Sequence, residues 1–172
     1  MPAKVNFAKI SLQDALDLAI LIEEEAQERY SEFAKVVGGG YEGDAADVFE
    51  SMSRNEAKHG QQLMERRKKL FGSAPTLMNR SMIYDVEAPD SGAPRPFMGP
   101  KQAAEVAMEG EKKAWAFFTE ALKHVTNPEV KALFVELQGE ELEHQSILQK
   151  LLDRLPEGVD LDEEDADEPS AL

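Results

Sequence analysis

The sequence predicts an all-α fold, a four-helix bundle with one long crossover between helices 2 and 3. Apolar residues recur every three to four positions in four separate stretches, the pattern of amphipathic helices. Residues typical of helix ends bound these stretches. The second and third stretches are separated by a proline-rich linker, residues 73–100. An extended linker spans about 3.3 Å per residue, whereas a helix rises only about 1.5 Å per residue. The linker is therefore long enough to return along the full length of a helix, so helices 2 and 3 can run parallel.

The first two helices have local start and stop signals. Ser11, with Asp14 three residues later, has the spacing of a capping box and predicts the start of helix 1. The three glycines at 38–40 end it. Helix 2 is predicted to begin near Asp44 and to end around Phe71.

The last two helices are predicted from proline and asparagine. Helix 3 is expected to begin at about Lys101, directly after Pro100. Asn127 followed by Pro128 is a strong N-cap and first-turn signal for helix 4. That helix is predicted to end before Pro156.

Composition and charge limit the classes of function that are possible. With 172 residues, 42% of them hydrophobic, we expect one bundle domain, 1–156, followed by an acidic, aromatic-poor and disordered tail, 157–172. The net charge of −15 disfavours nucleic acid and anionic membranes as partners. The absence of cysteine excludes disulfides, thiolate catalysis and thiolate metal sites. Since no apolar run reaches the roughly 18–20 residues that span a bilayer, and no signal peptide is recognisable, a cytoplasmic protein is expected.

Six polar residues lie on the apolar faces of the predicted helices. In the order E…ExxH…E…ExxH they are Glu23, Glu56, His59, Glu111, Glu141 and His144. Counted from the helix ends, all six fall within about one turn of the middle of the bundle. A buried carboxylate is unfavourable unless its charge is compensated, and four at one level would repel each other. Two divalent cations would offset them, so the pattern predicts a two-metal site.

The two ExxH pairs suggest how the ligands divide. Residues i and i+3 project from one helix face, so Glu56 and Glu141 are predicted to bridge the ions. Glu23 and His59 would complete the ligand shell of one ion. Glu111 and His144 would complete the ligand shell of the other. Such mixed oxygen and nitrogen shells, with space for an external ligand, suit iron(II) or manganese(II) better than zinc.

In these motifs the chain resembles the rubrerythrin and ferritin-like superfamily of di-iron carboxylate proteins. The resemblance covers about residues 11–154 and is closest in IEEEAQERYSEFA (22–34), GYEGDAADVFESMSRNEAKH (40–59) and EELEH (140–144). It implies a ferritin-like bundle, two iron ions and an oxidoreductase that reduces hydrogen peroxide or dioxygen. It also implies a homodimer.

Two departures from the family pattern affect this expectation. Rubrerythrins usually carry a C-terminal rubredoxin module with cysteine-ligated iron, which this cysteine-free sequence lacks. The resemblance therefore implies an external electron donor, rubredoxin-like or another reductant. Rubrerythrins also tend to have a second glutamate three residues after the third-helix ligand, where this chain has Ala114. The redox-linked change of ligation made by that glutamate is then unavailable, and the remaining ligands look closer to a bacterioferritin-type ferroxidase centre.

Three further residues are candidates for supporting the ligands. Tyr30 is two turns from Glu23 on the same face, and could hydrogen-bond a ligand carboxylate or take part in redox chemistry. A core tyrosine with a satisfied hydroxyl is an equally good interpretation. Gln27 and Gln138 lie one turn from Glu23 and Glu141 respectively.

Three other functions remain open. A ferroxidase would oxidise iron and pass it to storage. A dimanganese catalase uses similar ligands but dismutates peroxide without a reductant. A metal-free structural or interaction bundle would bind no metal.

Overall fold

The computed structural model of the chain describes residues 5–83, 86 and 92–156, so the predicted tail, 157–172, lies outside the described residues. The α-helices are α1 (Leu12–Val37), α2 (Ala45–Phe71), α3 (Pro100–Leu122) and α4 (Pro128–Arg154). A 3₁₀ turn, Arg80–Met82, lies in the α2–α3 connection. The described residues contain no strand, and the predicted all-α class is confirmed.

The ends of the first two helices follow the local signals. Ser11 caps α1, and its hydroxyl oxygen accepts a hydrogen bond from the Asp14 N–H at 3.1 Å. Gly38, with a φ of 64°, ends the helix in a conformation that favours glycine. Asp44 caps α2 by accepting from the Asp47 N–H at 3.1 Å.

The start of α3 lies one residue earlier than predicted. Pro100 is itself the first helical residue, because its fixed φ and missing N–H suit that position. Gly99 is the N-cap, and its N–H donates to Oε1 of Gln102 at 3.3 Å. The predicted start of α4 is confirmed, with Asn127 as the N-cap and Pro128 in the first turn.

Two hydrophobic clusters fill the bundle, one towards each end. The first combines the N-terminal halves of α1 and α4 with the C-terminal halves of α2 and α3; its buried residues include Leu16, Leu63, Phe118 and Leu133. The second combines the opposite halves; its buried residues include Phe33, Phe49, Ala104 and Leu148. Thus α1 and α4 run from the first cluster to the second, and α2 and α3 run the opposite way.

The connection between α2 and α3 is therefore a crossover along the bundle. Its described residues pack at both ends, with Ile83 in the first cluster and Met98 in the second. This confirms the predicted topology, in which two parallel helices are joined by a long segment. Across the described residues, none of the helices combines the length and apolarity needed to cross a bilayer.

Candidate metal centre

A layer of polar side chains from all four helices separates the two hydrophobic clusters. On α1, Glu23 lies between Ile22 of the first cluster and Ala26 of the second. On α3, Glu111 lies between Met108 of the second cluster and Phe118 of the first. The four predicted glutamate ligands are buried, none more than 4% exposed, and of the two histidines one is buried and one half-buried.

Donor atoms in this layer form three overlapping groups, and within each group they lie within 4.8 Å of one another. The groups are Glu23, His59 and Glu140; Glu56, His59 and His144; and Glu111, Glu141 and His144. Ligands about 2.0–2.2 Å from an ion lie up to about 4 Å apart. Each group could therefore close around a cation with small side-chain shifts.

The two histidines join the groups into one layer. Nδ1 of His144 lies 2.9 Å from Oε2 of Glu111 and 3.7 Å from Oε1 of Glu56. The imidazole of His59 stacks on that of His144, with ring centroids 4.8 Å apart and ring planes 8° from parallel. Burial, and then the neighbouring His144, lowers the pKa of His59. This favours the neutral imidazole, which is the form that binds metal ions.

The donor set fits a pair of divalent cations. Ionised carboxyl groups at this depth would repel one another, and a neutral His59 adds no positive charge between them. Carboxylate oxygens and imidazole nitrogens, without thiolates, suit iron and manganese. Glu56 shares its group with both histidines, and its bridging role stays a prediction.

Tyr30 lies against the α3 ligand. Its hydroxyl donates to Oε1 of Glu111 at 3.0 Å and approaches the main-chain oxygen of Ala107 at 3.4 Å. The side chain is fully buried and stacks on Phe49, with centroids 6.2 Å apart. This geometry is compatible with the predicted role of Tyr30 as a hydrogen-bond donor to a ligand carboxylate. A role of Tyr30 in the function stays a prediction.

The two candidate glutamines make other contacts. The Gln138 amide donates to Oγ1 of Thr119 at 2.7 Å, and Thr119 donates to the main-chain oxygen of Trp115 at 2.7 Å. The first of these bonds ties α4 to α3. The main-chain oxygen of Gln27 accepts from Oγ of Ser53 at 3.0 Å. Direct support of the ligands by either amide stays a prediction.

Glu140 is a donor that the sequence reasoning missed. It is half-buried, and its donor oxygen belongs to the group of Glu23 and His59. Burial, and then repulsion from Glu136, raises the pKa of Glu140. The available signal was its position four residues before His144, which places both on one face of α4.

A cavity of about 100 Å³ lies beside His59 and Glu140. Its other lining residues are Gln62, Leu63, Arg66 and Glu136. Because Gln62 and Glu136 are exposed, the cavity connects this side of the donor layer with the surface.

The fold and the donor layer define a class, the four-helix bundles with a carboxylate and histidine dimetal site. The sequence model described as rubrerythrin matches residues 14–152, with a second match over 102–170. The chain belongs to the rubrerythrin family, which is of the di-iron carboxylate type.

A solved structure supports the same assignment. The chain is similar to the crystal structure of an uncharacterized conserved protein from Magnetospirillum magnetotacticum MS-1, with 31% sequence identity and a TM-score of 0.66. The similarity covers 87% of this chain and 98% of that one. Among curated proteins there is no significant match.

Proposed function

We propose that the protein is a non-haem di-iron oxidoreductase that reduces hydrogen peroxide or dioxygen, with peroxide as the leading oxidant. One observation carries the proposal: four buried carboxyl groups and two imidazoles from four helices meet in one layer. Membership of the rubrerythrin family supports iron as the metal, although the same donors would accept manganese.

The predicted ligands have distinct roles in this proposal. Glu23 and His59 would hold the ion on the α1–α2 side, and Glu111 and His144 the ion on the α3–α4 side. Glu56, which lies with both histidines, would be shared, and Glu141 would be the second bridging ligand. Two bound iron(II) ions would supply the two electrons that reduce peroxide, with two protons, to two water molecules.

The protein's own part is orientation and exclusion of water. Tyr30 donates to Oε1 of Glu111, which leaves Oε2 facing Nδ1 of His144. The hydrophobic clusters above and below exclude bulk water, so charges in the layer interact more strongly than at the surface. Repeated turnover would require an external electron donor, rubredoxin-like or another reductant, and a homodimer acting in the cytoplasm is part of the same proposal.

Ala114 favours ferroxidase activity as the second candidate. It is fully buried on α3, three residues after Glu111, so no carboxyl group reaches the layer from that position. A site without that ligand is closer to one that oxidises iron with dioxygen and hands it on.

Stopped-flow absorbance separates these functions. The protein is loaded anaerobically with two iron(II) per chain and mixed separately with peroxide and with dioxygen. Much faster oxidation by peroxide is expected and would support the peroxidase; comparable or faster oxidation by dioxygen would favour the ferroxidase. Peroxide dismutation by manganese-loaded protein without a reductant would identify a catalase.

A pair of matched variants tests whether the fast oxidation phase comes from the proposed dimetal site. E56Q removes a buried carboxylate and should abolish the fast phase. E50Q makes the same charge change at an exposed position of α2 and should behave as the wild type. Failure of the wild-type protein to bind two irons would contradict the di-iron assignment.

A further inference from the structure

We propose that Glu140 is a ligand of the metal ion on the α1–α2 side, together with Glu23 and His59. The inference rests on the proposed dimetal function and adds a seventh protein ligand to it. A donor oxygen of Glu140 lies within 4.8 Å of donor atoms of both other residues.

The two consecutive glutamates of α4 face different partners. Neighbouring residues of an α-helix are rotated by about 100° relative to each other. Glu141 is grouped with Glu111 and His144, whereas Glu140 is grouped with Glu23 and His59. As a result, α4 places a carboxylate near each of these two donor groups.

Glu140 gives the two donor groups of the layer the same composition. The α3–α4 half contains Glu111, Glu141 and His144, which are two carboxylates and one imidazole. Without Glu140, the group on the α1–α2 side consists of Glu23 and His59 alone, and further protein ligands for its ion would come only from the bridging Glu56 and Glu141. With Glu140 this group also has two carboxylates and one imidazole, and Glu56 lies near both histidines.

The α1–α2 ion would also be the one closer to solvent. His59 and Glu140 are half-buried, whereas His144 is buried. Both half-buried residues line the cavity of about 100 Å³, which also contacts exposed Gln62 and Glu136. A cation arriving from the surface would therefore meet Glu140 and His59 before the deeper ligands.

Cobalt(II) titration of the metal-free protein tests the proposal without relying on activity. Binding is followed by calorimetry and by the visible absorbance of cobalt. The variant is E140Q, and the control is E143Q, which removes the same charge at an exposed position of α4. Far-UV circular dichroism checks that each variant is folded, and E140D, which retains a carboxylate, should partly restore binding.

We expect two cobalt ions per chain in the wild type and in E143Q. In E140Q one ion should bind as in the wild type, and the second about tenfold or more weakly. If E140Q binds both ions as tightly as E143Q does, the proposal for Glu140 is overturned and the dimetal function still stands. An equal weakening of both ions in E140Q would have the same meaning. Failure of the wild type to bind two ions would instead overturn the dimetal function on which the proposal rests.

Discussion

At the scale of single residues, the contact between Tyr30 and Glu111 depends on packing between helices. Sequence spacing placed Tyr30 on the same face of α1 as Glu23, but its hydroxyl donates to a carboxylate on α3. The two residues are far apart in the chain and meet only because α1 and α3 share a core. Local periodicity identifies the face of a helix, but it does not identify the partner on another helix.

Replacing Tyr30 by phenylalanine should weaken the site on one side. Y30F removes the donor to Glu111, and loss of a residue that orients a ligand typically lowers metal affinity by about 10–100-fold. Cobalt titration should show weaker binding of one ion, the one that Glu111 and His144 are proposed to hold. The exposed Tyr41 provides the control Y41F. Equal cobalt affinities in the two variants would show that Tyr30 is only a core side chain.

Glu140 is a candidate metal ligand that helical periodicity did not predict. The apolar face of α4 is centred on residues such as Leu137, Glu141 and Leu148, and Glu140 lies at its edge. Whether an edge residue turns inward depends on the angle at which neighbouring helices pack. Periodicity therefore placed the six predicted ligands on inward faces, whereas the position of Glu140 four residues before His144 indicated only a shared side of α4 and not an inward direction.

At the scale of helices, the ends were predictable because their signals are local. Ser11, Asp44 and Asn127 cap helices through side-chain bonds to N–H groups two or three residues away. Close approach of two helices has no comparable signal. A Cβ added at Gly60 would lie 3.4 Å from Cβ of Glu23, so α1 and α2 approach closely at the donor layer. Only the assembled structure shows this.

Asp44 gives a prediction for the stability of α2 and its pH dependence. One oxygen accepts from the Asp47 N–H at 3.1 Å, and the other from the Gly40 N–H at 2.6 Å. The bond from Gly40 is the main reason that the pKa of Asp44 is below the ordinary value of 3.8. D44A should lower the free energy of unfolding at pH 7 by about 1 kcal/mol.

The sign of the pH effect follows from the direction of this pKa shift. A carboxyl group whose pKa is lower in the folded state stabilises the fold fully at pH values above about 4. That contribution is lost as the pH falls through the lowered pKa of the folded state. The stability difference between wild type and D44A should therefore shrink below pH 4 in thermal unfolding. A difference that is constant down to pH 2 would contradict the assignment, and D44N should lose the pH dependence while keeping most of the cap.

At the scale of the whole molecule, the donor layer divides the core. Four buried carboxyl groups lie between two hydrophobic clusters, so the middle of the bundle contributes less hydrophobic stabilisation than its ends. Ionised and uncompensated, these groups would oppose folding. Metal binding at the proposed site should thus be coupled to the stability of the entire bundle, because the candidate ligands come from all four helices.

Removal of metal should lower the thermal midpoint of the whole protein in one transition. At a free metal concentration of 100 times Kd, one bound ion stabilises the native state by about 2.7 kcal/mol. For a chain of 172 residues this corresponds to a shift of about 5–10 °C per ion. The shift should diminish at acidic pH, because protons compete with metal for carboxylates and imidazoles. Differential scanning calorimetry with and without a chelator measures it; E56Q should show a much smaller shift and E50Q the full one. Identical midpoints for metal-loaded and chelated wild type would favour the metal-free structural bundle, because a bundle without a metal site has no reason to respond to either treatment.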